Sequence, residues 1–95
     1  MKTFRFEPDL FDERARAAEA LEHAGLEWPT EYSAIDLMHD VFGLEICGIL
    51  THAAALKIHS IVRKSFPEWK YSFVDYHDSD RCWRVFIYRD PEQCH

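Results

Sequence analysis

Glycine and proline are scarce in this chain, with three and four among 95 residues. That excludes collagen-like and low-complexity sequence and leaves few enough break points to be read one at a time. Cysteine is also sparse. Cys47, Cys82 and Cys94 are odd in number and have no C-x-x-C spacing, which excludes a paired disulfide framework and a thiolate zinc site and points to reduced thiols. No run of about 20 apolar residues could cross a bilayer, since even residues 46–62 contain Gly48, His52, Lys57 and His59. Residues 1–6 are too short and too charged for a signal peptide. No internal repeat or linker is visible. These absences predict a soluble, cytoplasmic protein with no membrane association.

What is present is the balance of a packed globule: 47% hydrophobic and 29% charged residues, in a length suited to one domain over residues 1–95. The net charge of −6 is unevenly spread. Residues 1–48 carry −7 and residues 49–95 carry +1. Phosphate backbones are held mainly by clustered Lys and Arg, so an acidic front half argues against nucleic acid and fits a basic protein partner better.

Hydropathy patterning predicts an α+β fold with a short N-terminal strand, three helices and a C-terminal β-hairpin. Phe4 and Phe6 alternate in residues 3–6, which reads as the strand. Asp9 can cap a first helix over residues 9–24, with Leu10, Phe11, Ala17, Ala18, Leu21 and Ala24 sharing one arc. Gly25-Leu26 offers it a left-handed stop with an apolar follower. Ser33 with Asp36 three residues on resembles a capping box and predicts a second helix that ends before Gly43, with Ile35, Met38 and Phe42 inside. A third helix is expected over residues 45–66, where Ile46, Cys47, Leu50, Ala53, Ala54, Lys57 and Ile61 fall on one side. The opposite side, with Gly48, His52, Ala55, His59 and Arg63, is too sparsely charged to look freely into water. Residues 69–77 and 82–89 are rich in aromatic and β-branched residues around Asp78-Ser79-Asp80-Arg81 and form the hairpin. The helices should then pack on one face of a small antiparallel sheet, with residues 82–89 as its central strand.

Two hairpin registers are possible. A turn at Ser79-Asp80 pairs positions whose numbers sum to about 159, which mixes rings and polar groups on each face. An odd loop moves the sum to about 158 and gathers Trp69, Tyr71, Phe73, Trp83, Val85 and Ile87 on one side. Burial favours the second. It leaves Val74, Tyr76, Phe86 and Tyr88 as an outward contact surface, because a contiguous apolar patch usually has a use. His52 and His59 add a further contact surface on the long helix.

No catalytic apparatus is visible. Asp75, His77 and Cys82 are the residue types of a thiol nucleophile, its base and an orienting carboxylate, but the favoured register separates His77 from Cys82, and no oxyanion loop accompanies them. His52 and His59 stand too far apart along a helix to share a metal ion. The triplets Asp36, His39, Asp40 and Glu19, Glu22, His23 have chelating spacing, yet acidic helices produce such triplets by chance, so neither a metal nor a cofactor is expected. Lys57 is the only formal charge in residues 46–62. It should snorkel; if desolvated, it could instead join Asp75 and His77 in a binding site. A winged helix is disfavoured because Asp78 and Asp80 would face phosphate at the wing tip.

Phe66-Pro67-Glu68-Trp69, between an expected helix and strand, resembles part of the pterin-4a-carbinolamine dehydratase signature, in which two histidines precede Pro-Glu-Trp. Ser65 and Phe66 stand in those places here, and no Thr-His pair follows. The resemblance covers three residues and carries over neither activity nor site. The sequence therefore predicts a non-catalytic protein-interaction domain acting as a homodimer. The competing reading is a small-molecule-binding protein or weak enzyme with Lys57, Asp75 and His77 between the long helix and the sheet.

Overall fold

The computed structural model describes residues 6–38 and 42–89, and side chains from residue 12 onward. Two helices and four strands follow in the order α1 (Phe6–His23), β1 (Ala34–Leu37), β2 (Gly43–Ile49), α2 (His52–Ser65), β3 (Tyr71–His77) and β4 (Cys82–Tyr88). The strands form one sheet in the order β1-β2-β4-β3 with every neighbouring pair antiparallel. Two antiparallel steps make β2 and β3 parallel to each other with β4 between them. Parallel strands cannot be joined by a tight turn, and α2 supplies the crossover.

The class is α+β, and the apolar strand β4 is central, as expected. The element list is not. The stretch of the predicted second helix that the structure describes is β1, residues 39–41 lying outside the described residues, and the first part of the predicted third helix is β2. The expected N-terminal strand lies outside the described residues except for Phe6, which opens α1.

The physical reason lies in residues 33–51. Ile35 and Leu37 alternate with exposed Asp36, and buried Leu44 and Ile46 alternate with half-buried Glu45 and Cys47, which is the period of a half-buried strand. Beyond Ile46 the pairing with β4 slips: Ile46 faces Val85, but Ile49 faces Trp83, so β2 contains one extra residue. Gly48 absorbs this bulge at a φ of +74°, where a side chain would also meet the Ser33 hydroxyl oxygen at 1.9 Å. The extra residue turns both Ile46 and Ile49 into the core; residues 46, 50, 53 and 54 have helical spacing in the sequence, yet the boundary between β2 and α2 runs through them. Thr51 marks that boundary. Its hydroxyl accepts from the Ala54 amide at 3.1 Å and caps α2.

α1 ends as its sequence implies. The Gly25 amide donates to the Glu22 carbonyl and the Leu26 amide to the Leu21 carbonyl, with Gly25 at φ +87° and Leu26 buried.

Both helices cover the same face of the sheet. Ala17 and Leu21 of α1 and Ala55, Ile58 and Val62 of α2 meet Ile35, Leu44, Ile46, Ile49, Val85 and Ile87. Each fully buried Ile or Leu contributes about 1.5–3 kcal/mol relative to exposure. Phe66 and Trp69 stack at 4.8 Å and close one end, and Phe42 meets Trp69 edge-on at 5.8 Å. Arg16 lies 4.1 Å over the Phe66 ring and bonds Glu68 at 2.6 Å, holding that carboxyl below its ordinary pKa. The Pro67-Glu68-Trp69 segment thus has a packing role.

Candidate functional site

β3 pairs with β4 so that Tyr71 faces Tyr88, Phe73 faces Phe86, Val74 faces Val85, Asp75 faces Arg84 and His77 faces Cys82. This is the register that mixes the faces, and it overturns the segregated one expected from burial. The reason is the position of β3. An edge strand need not bury its rings, and no residue of β3 is fully buried. Meanwhile β2 and β4 supply the apolar inner surface. The hairpin closes through four exposed residues, Asp78 to Arg81, with Arg81 at φ 55° and its amide donating to the His77 carbonyl at 2.8 Å.

The outward face of the sheet consequently bears Tyr71, Phe73, Phe86 and Tyr88. Tyr71 stacks on Tyr88 at 5.5 Å and Phe73 on Phe86 at 4.7 Å, while Phe73 meets Tyr88 edge-on at 6.3 Å. Tyr71 and Phe73 are 41% and 43% exposed. Both helices lie on the other side, and among the described residues no element covers these rings. The expected contact set is therefore divided. Phe86 and Tyr88 are outward, whereas Val74 and Tyr76 point to the helix side, where Tyr76 leans on Trp83 at 4.9 Å. Tyr71 and Phe73, which the segregated register would place in the core, belong to the outward patch.

Polar groups occupy the rest of that face. Arg84 is held by Glu45 and Asp80, and both carboxylates raise its pKa. Cys47 donates to Asp36 at 3.6 Å; burial first, then the charges of Glu45 and Asp36, push its thiol up to about 12. Asp75 lies 3.7 Å from His77 and accepts from the Tyr76 amide at 3.0 Å. Cys82 is a buried free thiol and makes no hydrogen bond to His77 among the described residues.

The expected trio Lys57, Asp75 and His77 does not assemble. Lys57 is exposed on α2, while Asp75 and His77 are on the sheet face turned away from that helix. Ala55, Ile58 and Val62 fill the seam between α2 and the sheet.

His52 and His59 share a side of α2, as their spacing implies, but each faces the sheet. His52 stacks on Trp83 at 4.3 Å, and the His59 Nε2 lies 2.9 Å from the Ser72 hydroxyl. His39, Asp40 and Cys94 lie outside the described residues. Among the described residues, no three His, Cys, Asp or Glu side chains could together hold a metal ion, and no helix is long and apolar enough to cross a membrane. Comparison of the chain with protein-family models, with curated proteins and with solved structures finds no match in any of the three.

Proposed function

We propose that the protein is a non-catalytic interaction domain that self-associates through the outward face of its sheet. The observation supporting this reading is the contiguous patch of Tyr71, Phe73, Phe86 and Tyr88, four rings in mutual contact on a face that carries no helix among the described residues. Single exposed apolar residues are ordinary, but grouped aromatic rings bring large, rigid area to an interface centre at low entropic cost.

A second copy of the chain is the partner that best suits the layout. The rings occupy the β3–β4 corner, while Asp36, Glu45, Asp75 and Asp80 lie toward β1, β2 and the hairpin tip. A two-fold axis through the rings stacks ring on ring and directs the acidic parts of the two copies away from each other, which is the isologous arrangement usual for dimers. The competing reading, a ligand site built from Lys57, Asp75 and His77, lacks its constellation because these residues lie on different sides of the molecule.

Light scattering across a micromolar concentration series tests the proposal. The protein should run at about twice its 11.3 kDa chain mass, and Phe73→Lys should run at the single-chain mass with an unchanged circular dichroism spectrum. A monomer at the highest concentration, or a dimer indifferent to Phe73→Lys and Tyr71→Lys together, would refute it.

A further inference from the structure

An open groove of about 820 Å³ runs between α1 and the segment leading into β1, and its walls include Arg14, Ala18, Glu22, Glu27, Trp28 and Tyr32. It shares no residue with the aromatic sheet face. Three features of its wall act together. Trp28 is 64% exposed, yet its indole N–H donates to the Ser33 carbonyl at 2.7 Å, so the ring is held in place with its surface available. Tyr32 is buried and lines the same groove, and burial, then the Glu22 charge, raises its pKa, which keeps the phenol neutral. Glu22 and Glu27 are exposed carboxylates in the same wall as these two rings.

We propose that this groove accepts a Lys or Arg side chain presented by an extended segment of a partner protein, with the cation held by the Trp28 ring and the Glu22 and Glu27 carboxylates. An aromatic face flanked by carboxylates attracts an organic cation twice over, through the ring quadrupole and through direct charge. An anionic ligand would be repelled, and a purely apolar one would desolvate the carboxylates without return. The whole first half of the chain, at −7, favours the approach of a basic partner.

The shape argues for a segment rather than a free small molecule. Arg14, Ala18 and Glu22 follow one another at four-residue spacing on α1, so the groove extends about 12 Å along the helix, a distance that about four extended residues span. It is open along that length, unlike the enclosed clefts that bury most of a small ligand.

The test is a titration followed by ¹H–¹⁵N NMR with a capped alanine-arginine pentapeptide, against its glutamate counterpart and against free methylguanidinium. The arginine peptide should give saturable shifts at the Trp28 indole N–H and in residues 26–35, and should bind more tightly than methylguanidinium; the glutamate peptide should not bind. Glu22→Gln with Glu27→Gln should weaken binding by about tenfold, and Trp28→Ala by several-fold, while Asp12→Asn with Asp78→Asn should leave it unchanged. All are exposed positions, and the spectrum of each variant reports its fold. Failure to saturate, equal binding of the glutamate peptide, or equal losses from the Asp12 and Asp78 substitutions would overturn the site; methylguanidinium binding as tightly as the peptide would overturn the extended-segment occupant. Self-association through the sheet face is unaffected by any of these outcomes.

Discussion

His59 is half-buried between α2 and β3, with the Ser72 hydroxyl on its ring nitrogen. Burial, and secondly the charge of Arg63, hold its pKa below the ordinary 6.5, with the Ser72 bond opposing them. Between the lowered folded value and 6.5 the unfolded chain binds more protons than the folded one, so stability rises with pH through that window. The contribution of neutral His59 is intact above the unfolded value and is lost as pH falls toward the folded one. Urea midpoints measured at about pH 7.5 and about pH 5.5 should therefore fall on acidification, and His59→Gln should reduce the drop. An identical drop in the variant would remove His59 as the cause. Cys47 gives a second prediction at this scale. With its thiol pushed up to about 12, little thiolate exists near neutrality, and only thiolate attacks alkylating reagents. Iodoacetamide at about pH 8 should label Cys47 far more slowly than in the urea-unfolded chain, and Asp36→Asn should speed the folded-state reaction. Equal rates in folded and unfolded protein would contradict the electrostatic account.

At the scale of elements, the clearest boundary is Thr51. Its hydroxyl satisfies an otherwise orphaned amide, so Thr51→Ala should cost about 1 kcal/mol of unfolding free energy in urea, and Thr51→Asn much less. Equal losses for the two substitutions would show that the cap does not set the boundary. That boundary also explains what the sequence disclosed. Gly25-Leu26 was legible as a helix stop because left-handed glycine followed by an apolar residue has one common meaning. β4 was legible as central from its run of β-branched and aromatic residues, and the hairpin from its polar tip. The sequence of residues 33–49 imitates helix because Ser33 with Asp36 has the spacing of a capping box and Ile46, Leu50, Ala53 and Ala54 fall at helical intervals; in the fold Leu50 is exposed beyond the end of β2, and Ile46 and Ile49 share the core side through the Gly48 bulge. Phe86 and Tyr88 are legible as outward from alternation within β4, because Val85 and Ile87 take the other face in either register; which β3 residues join them is not legible, because that depends on the register and on β3 being the edge strand. Trp28 and Tyr32 carry no motif, and their juxtaposition with Glu22 is created by the fold alone.

At the scale of the whole molecule, both helices lie on one face of the four-stranded sheet, and among the described residues nothing covers the rings on the opposite face. Small domains bury a lower fraction of their surface than large ones, so association through such a face adds stability that the lone chain lacks. The consequence is measurable apart from any mass determination. If folding is linked to dimerisation, a tenfold rise in concentration stabilises the dimer by about 1.4 kcal/mol, or about 0.7 per chain, and raises Tm by roughly 3–5 °C. Phe73→Lys should abolish that dependence and leave a Tm that is constant across the series. Val85→Ala supplies the contrast, since Val85 is fully buried on the helix side. It should lower Tm at every concentration while preserving the slope. A wild-type Tm independent of concentration throughout a range in which the protein scatters as a dimer would mean that the rings are covered without contributing to stability, and that some other surface holds the two chains together.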